Sequence, residues 1–441
     1  MIARVTLAVA VSLASGTAAA DILTAWQRAQ DKDPEYAVAL ADLAVNREEV
    51  PQARAGLLPQ VSANYSKGRA DSTITSPGLL GPVTRDTRYN TESWALQLRQ
   101  PLFRPRAYYT LNQARAIETA SEQRTRSARQ ALAIRLMDAW ADRVQFASQR
   151  EAALTDIQAA KTTLTLSERQ LRAGEVTRIE RLRAAQQLAE GRQALAEAER
   201  RDRASQLAWQ KLTGSTSELP PSQVNTDLSA RLVADAGTLD MLPTRLNQHP
   251  AILAAQADTD NMRAEIRKAQ SDRLPTVDFV ASRSFTDSES ENIIGNRFDT
   301  TRYAVQASMP LFTSGALTSQ VREAEARLAK AQAQLDAEKA RVTTAAETAW
   351  LDLSAALARW SAADAQRERA VASLRAAELG IQGGLSTQAD VARSQSELAA
   401  ALRERSLAQA DGLRLWIRFQ EAMGQIDENS LKRVGELAGW L

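Results

Sequence analysis

The feature that most constrains this chain is an ordered internal duplication. Asp33-Pro34 returns as His249-Pro250, and Ala41-Asp42 returns as Ala257-Asp258. Leu58-Pro59 followed by Val61 returns as Leu274-Pro275 followed by Val277. Pro101-Leu102-Phe103 returns as Pro310-Leu311-Phe312, and Ala139-Trp140 as Ala349-Trp350. Gly174 with Thr177 returns as Gly384 with Thr387, and Gly214 as Gly424. The offset is 216, then 209, then 210, and the order is never broken. Self-similarity of this kind marks one supersecondary unit used twice. A length of 441 residues would otherwise suggest two or three unrelated globular domains. The reading is instead a first repeat at 21–214, a linker at 215–243, a second repeat at 244–425 and a C-terminal tail at 426–441.

Residues 1–20 read as a cleaved secretory signal peptide. Met1 to Arg4 is a short positive start, Val5 to Leu13 is apolar, and Ala18-Ala19-Ala20 precedes Asp21. No later stretch approaches about 20 apolar residues, so helical membrane spans are not expected. The mature chain lacks Cys altogether, which removes disulfides, thiolate metal sites and cysteine-linked lipid anchors. A single His leaves little room for a triad and none for a multi-His metal site. His249, placed before Pro250, reads as a helix-entry residue. The 55 basic and 53 acidic residues nearly cancel, which argues against a nucleic-acid partner. No Gly-rich phosphate loop with Lys is present. No enzyme activity, metal or cofactor is expected.

Each repeat reads helix, strand, loop, strand, long helix, tight turn, helix. Pro59 stops the first helix, expected over Ile22 to Leu57, and Pro275 does the same in the second copy. The period then changes to two, which marks strands with one apolar face. The strands are expected at about 60–68, 90–100, 276–284 and 301–310, each pair joined by a polar loop (67–89 and 284–302). Val61, Tyr65, Trp94, Leu96, Val277, Phe279, Tyr303 and Val305 are the candidate lipid-facing residues. Pro101 and Pro310 mark the return from strand to helix. Four strands cannot close a membrane barrel, and open edges cannot face lipid, so strands in a membrane require more than one copy.

The long helices set the scale. About 68 residues from Arg106 to Ala173 contain no Pro or Gly, which is about 100 Å of helix. The second copy runs from about Ala316 to Gln382. Its apolar positions follow a three-four spacing, from Val321, Ala324 and Leu328 through Leu353, Ala356 and Trp360 to Ala377 and Ile381. Such spacing implies coiled-coil packing, and the Ala content implies close helix approach.

At this point the residues resemble the TolC family of outer-membrane channel proteins, in its type I secretion and multidrug efflux branch. The resemblance rests on the Asp33-Pro34 helix start, the run Gln52 to Pro59, and the two Pro-Leu-Phe junctions. It rests also on the turns Leu171 to Thr177 and Ile381 to Thr387. It implies a mainly α fold with a β-barrel portion: a homotrimer with a long periplasmic helical barrel and a shared outer-membrane β-barrel. It further implies an exit duct for secreted protein or drugs, gated at the helical turns. The partners would be a periplasmic adaptor (membrane fusion) protein, an inner-membrane ABC or proton-driven pump, and outer-membrane lipid. Gly174, Thr177, Gly384, Ser386 and Thr387 would form the adaptor-docking tip. Asp390 matches an acidic constriction position of the family, and Glu180 is its counterpart in the first copy. Arg393 stands where the family has a further acid, and Ile381 and Ser386 depart from its latch residues. The alternative is a soluble periplasmic coiled-coil scaffold with decorative hairpins.

Overall fold

The computed structural model describes residues 22–78, 81–215, 246–290, 293–382, 386 and 388–438. The expected signal peptide, nearly all of the linker, Gly384 and Thr387 lie outside the described residues. The first repeat contains α1 (Ile22–Lys32), α2 (Pro34–Ala55), β1 (Gln60–Gly78), β2 (Gly81–Phe103), α3 (Pro105–Ala173) and α4 (Arg178–Thr213). The second contains α5 (Pro250–Ser271), β3 (Thr276–Ser290), β4 (Ile293–Ser308), α6 (Ala316–Gln382) and α7 (Gln388–Ala422). The last helix, α8 (Glu428–Ala438), occupies the segment expected to be a tail.

The opening helix departs from expectation because it is two helices. Pro34 lacks an N–H and its ring crowds the preceding turn, so α1 ends at Lys32. The same Pro is well suited to the first position of a new helix. Asp33 caps that helix, its Oδ1 accepting from the Tyr36 backbone N–H at 2.7 Å and from Arg135 Nη2 at 2.7 Å. A break is thereby converted into a satisfied corner.

The strands are longer than expected, and the described residues of the two segments read as loops are strand. β1 has 19 residues and β2 has 23, against about 9–11 for a membrane crossing. Beyond Tyr65 the alternation of apolar and polar residues stops, which is why the sequence signal faded. Pairing continues through polar cross-strand partners. Lys67 Nζ lies 3.3 Å from Glu92, Arg88 Nε 2.8 Å from Asp71, and Thr73 Oγ1 donates to Asp86 at 2.6 Å. In the second hairpin Arg297 pairs with Asp287 at 3.1 Å and Arg283 with Asp299 at 3.0 Å. All are exposed, so each adds at most about 1 kcal/mol. The backbone ladder, continuous from Gln60↔Arg99 to Gly78↔Gly81, does the rest.

The chain forms two compact units. One takes the chain up to Val38 with Arg126–His249 and Arg341–Leu441; it is helical and holds both turns. Its interior contains Trp26, Leu132, Leu136, Met137, Trp140, Leu353, Trp360, Leu413, Ile417 and Leu431, all fully buried. Burying each such side chain contributes roughly 1.5–3 kcal/mol. Trp26 on α1 and Leu431 on α8 show why these short helices persist: each hides an apolar stripe on this unit. The other unit takes Ala39–Thr125 and Pro250–Ala340. It holds an antiparallel sheet in the order β1-β2-β3-β4, and a helical core of Ala269, Val321 and Ala324 with Ile266 packed against it.

Candidate functional site

Two places gather the candidate residues: one face of the sheet, and the turns between long helices. On the sheet the register decides the grouping. Val61 pairs with Leu98, Ala63 with Leu96 and Tyr65 with Trp94. Trp94 pairs onward with Phe285, and Leu96 with Arg283. Phe279 pairs with Val305, and Ala281 with Tyr303. Directly opposed residues point to the same side of a sheet. Val61, Tyr65, Trp94, Leu96, Val277, Phe279, Tyr303 and Val305 therefore share one face. Six of the eight are exposed in the protomer, Tyr303 at 72 % and Val61 at 67 %. The other face carries Ser62, Asn64, Ser66, Gln97, Arg99, Asp278 and Gln306.

The apolar face is bounded above by a row of rings, and one ion pair, Arg283 with Asp299, stands on it at that row. Tyr65, Trp94 and Phe285 form a row across three strands, with the Trp94 and Phe285 rings stacked at 6.3 Å. Past that row the same face carries Lys67–Glu92, Asp71–Arg88 and Asp287–Arg297, and Arg297 lies 5.8 Å from the Phe285 ring centre. The sequence reading missed Phe285, because it lay in a segment taken for a loop.

The lower limit is a bend held by charge. Pro101 sits within β2, where the register slips between Pro101 and Phe103, bringing Phe103 opposite Val277. Proline cannot donate to the ladder, so a bulge is the natural outcome. Asp278, buried on the polar face, accepts from Arg99 Nη2 at 2.6 Å and from Arg104 Nη2 at 2.8 and 2.9 Å. This clamp ties the β2–α3 junction to a strand of the other repeat. Sequence reading missed it, since Ser62 stands at the equivalent position of the first repeat. Pro59 and Pro275 stand immediately before β1 and β3, after short turns closed by Leu58 N–H to Ala55 O and Leu274 N–H to Ser271 O. Pro310 follows the end of β4. The two Pro-Leu-Phe runs are thus not equivalent: the first stays paired with β3 through Phe103, whereas β4 is an edge strand ending at Ser308, before the second run.

The first turn is fully described. Gly174 has φ 79°, a left-handed conformation that costs glycine nothing. Its N–H donates to Leu171 O at 3.1 Å, and Glu175 N–H donates to Gln170 O at 2.9 Å, closing α3 with a Schellman motif. Three residues later Thr177 opens α4 with a capping box. Its Oγ1 accepts from Glu180 N–H at 3.3 Å, and its own N–H donates to Glu180 Oε2 at 2.8 Å. Glu180, grouped with the constriction in the sequence reading, has its carboxylate engaged in starting this helix.

The second turn is described in part. Ser386 N–H donates to Gly380 O at 3.2 Å. Asp390 lies in the first turn of α7 and is exposed, and Arg393 follows three residues on. Arg393 Nε donates to Glu397 Oε1 at 3.2 Å. Spacing of three places Asp390 and Arg393 as neighbours on one helix surface. Among the described residues no cluster of His, Asp and Glu could hold a metal ion. No described helix is long and apolar enough to cross a membrane.

The family described as "Outer membrane efflux protein" matches residues 25–215 and 242–425. The chain is 29% identical over 450 residues to the proteases secretion protein PrtF of Dickeya chrysanthemi, covering 99% of this chain and 94% of that protein. It is 25% identical over 414 residues to the alkaline protease secretion protein AprF of Pseudomonas aeruginosa, covering 94% and 86%. In fold it is similar to the Campylobacter jejuni CmeC outer membrane channel, with a TM-score of 0.72 at 15% identity over 95% of this chain and 89% of that one.

Proposed function

The chain belongs to the outer membrane efflux protein family, and on that premise we propose that it is the outer-membrane exit duct of a tripartite export machine. It is an outer-membrane channel with a long periplasmic helical portion. The observation that carries the reading is the one-sided sheet: eight apolar side chains on one face, polar groups on the other, and two unpaired edges. Edge N–H and C=O groups cannot be left facing lipid. Three copies would join β4 of one to β1 of the next, giving a closed barrel within the known range of strand numbers. The aromatic row Tyr65–Trp94–Phe285 would sit at a lipid–water interface, where such rings concentrate.

An adaptor protein and an inner-membrane ABC or proton-driven pump would engage the helical turns. Gly174, Thr177, Gly384, Ser386 and Thr387 would form the docking tip. Asp390 and Arg393, repeated three times, would line the constriction, with Glu180 near it as a cap residue. Opening would be driven from outside, by the adaptor and pump. As cargo we favour secreted protein over drugs, because PrtF and AprF, the relatives that are 29% and 25% identical over nearly the whole chain, are named for protease secretion.

Membrane fractionation tests the duct. The protein should stay in outer membranes through a high-salt wash and leave only with detergent, as a trimer by native mass measurement. Release by salt alone would overturn the reading. Deleting the chain should remove a protease from the culture medium; unchanged secretion with raised drug sensitivity would move the cargo assignment to small molecules.

A further inference from the structure

We propose that the Asp364–Arg405 ion pair is the register lock of the α6–α7 helix pair, and through it the device that fixes the height of Asp390 and Arg393. Asp364 on α6 is 8 % exposed, and Arg405 Nε on α7 donates to its Oδ1. On the turn side of this pair the buried positions among the described residues are small, Ala370 and Ala377 of α6 with Ser394 and Ala401 of α7, and Leu374 and Leu398 are half-buried beside them. A seam of alanines loses few contacts when one helix slides by a turn, about 5.4 Å. Sliding would part Asp364 from Arg405 and leave two largely buried charges unpaired, which is strongly disfavoured. Buried polar pairs are best attested in this role.

The duplication supplies the comparison. At an offset of 210, Asp364 and Arg405 correspond to Leu154 and Leu195 of the first repeat. There the α3–α4 seam is keyed by shape instead: Ile157, Ala160 and Leu188 form a buried cluster, with Leu164 and Leu195 packed on it. Ile157 itself corresponds to Arg367. Leu164 and Leu188 recur as Leu374 and Leu398, so the two seams differ chiefly where Leu154, Ile157 and Leu195 give way to Asp364, Arg367 and Arg405. The consequence for Asp390 and Arg393 rests on the duct reading; the register itself does not.

The absence of Cys makes the test direct. Ser373 Oγ and Ser394 Oγ lie 3.4 Å apart across the pair, so S373C/S394C reports the native register. S373C/L398C and R369C/S394C report slips of one turn in either direction. In full-length protein in outer membranes, only the first pair should crosslink with wild-type Asp364 and Arg405. D364A/R405A, which removes both charges without supplying the first repeat's leucines, should raise the slipped crosslinks about tenfold or more relative to the native one. The charge-swapped D364R/R405D should restore the native crosslink alone. Exclusive native crosslinking in D364A/R405A would overturn the proposal, since Trp360 packed on Gly412 would then suffice. If D364A/R405A does not reach the membrane, the swapped pair decides: native crosslinks support the lock, slipped or absent ones sink it. Channel conductance recorded on the same variants separates the two claims. Slipped crosslinks with unaltered conductance would keep the lock and reject its link to the constriction.

Discussion

At the residue scale, the protein repeatedly assigns carboxylates to structural work. Asp278 is the clearest case, with its side chain 6 % exposed and two guanidiniums converging on it. Replacing it with Ala leaves Arg99 and Arg104 facing each other across a junction, both with access to water, and should cost about 1.5–3 kcal/mol, read as a lowered urea midpoint of the assembled protein. An unchanged midpoint would mean the clamp is ornamental. Thr177 and Glu180 form the reciprocal cap of α4, and T177A should cost about 1 kcal/mol without altering conductance. E180Q keeps much of the cap while removing charge, so a conductance change in that variant reads the pore contribution alone. Such roles are only partly legible in a sequence. Thr177-x-x-Glu180 is a recognisable capping pattern, but Asp278 looks like one more polar residue in an alternating strand until the fold brings Arg104 to it.

At the element scale, the long helices are Ala-rich rods made specific by a few contacts. The three-four spacing read from α6 holds well: Val321, Ala324, Ala331, Val342, Leu353, Ala356, Trp360, Ala363, Ala370 and Ala377 are buried. Leu328 and Ile381 are half-buried, and between Val342 and Ala346 the seam steps by four. Two glycines measure how tight these contacts are. A Cβ at Gly412 would lie 2.9 Å from Trp360 Cε3, in a ring that is fully buried and cannot retreat. G412A should therefore destabilise by about 1–3 kcal/mol despite alanine's better helix propensity. At Gly191 the Cβ would meet the Ile157 Cγ1 at 3.3 Å, a side-chain end able to give way. G191A should be neutral or stabilising by up to about 1 kcal/mol. Thermal melts of both variants check the contrast; equal effects would discredit the contact argument.

Glu421, near the end of α7, gives the element a pH dependence. Burial raises its carboxyl above the ordinary 4.5, against the lowering influence of Arg341 and Arg418. A carboxyl raised on folding binds its proton more tightly in the folded state. Its unfavourable contribution is therefore complete above the folded value and fades as pH falls toward 4.5. E421Q should melt higher than wild type at pH 8, with the gap closing as pH drops into that window. A gap independent of pH would assign the effect to packing.

At the scale of the whole molecule, the proposed trimer follows from what the protomer leaves open. Among the described residues its sheet has an apolar face with no protein partner, and two edges with no strand beside them. If three copies close the barrel, the constriction carries Asp390 and Arg393 in equal number. D390A should then shift selectivity toward anions, measured as a reversal potential across a planar bilayer under a salt gradient. No shift would remove Asp390 from the ion path. The sequence by itself determined the duplication, the element order, the continuous helices and the lipid-face candidates, because periodicity and proline placement are local and survive in one dimension. Only the tertiary structure decided how far the strands run, since polar residues in both parities give no periodic signal and are held by partners on the next strand. It alone also decided where the buried charges go. Asp278 with Arg99 and Arg104, and Asp364 with Arg405, are joined across tens to hundreds of residues, and an ion pair exists only where the fold brings its members within a few ångströms.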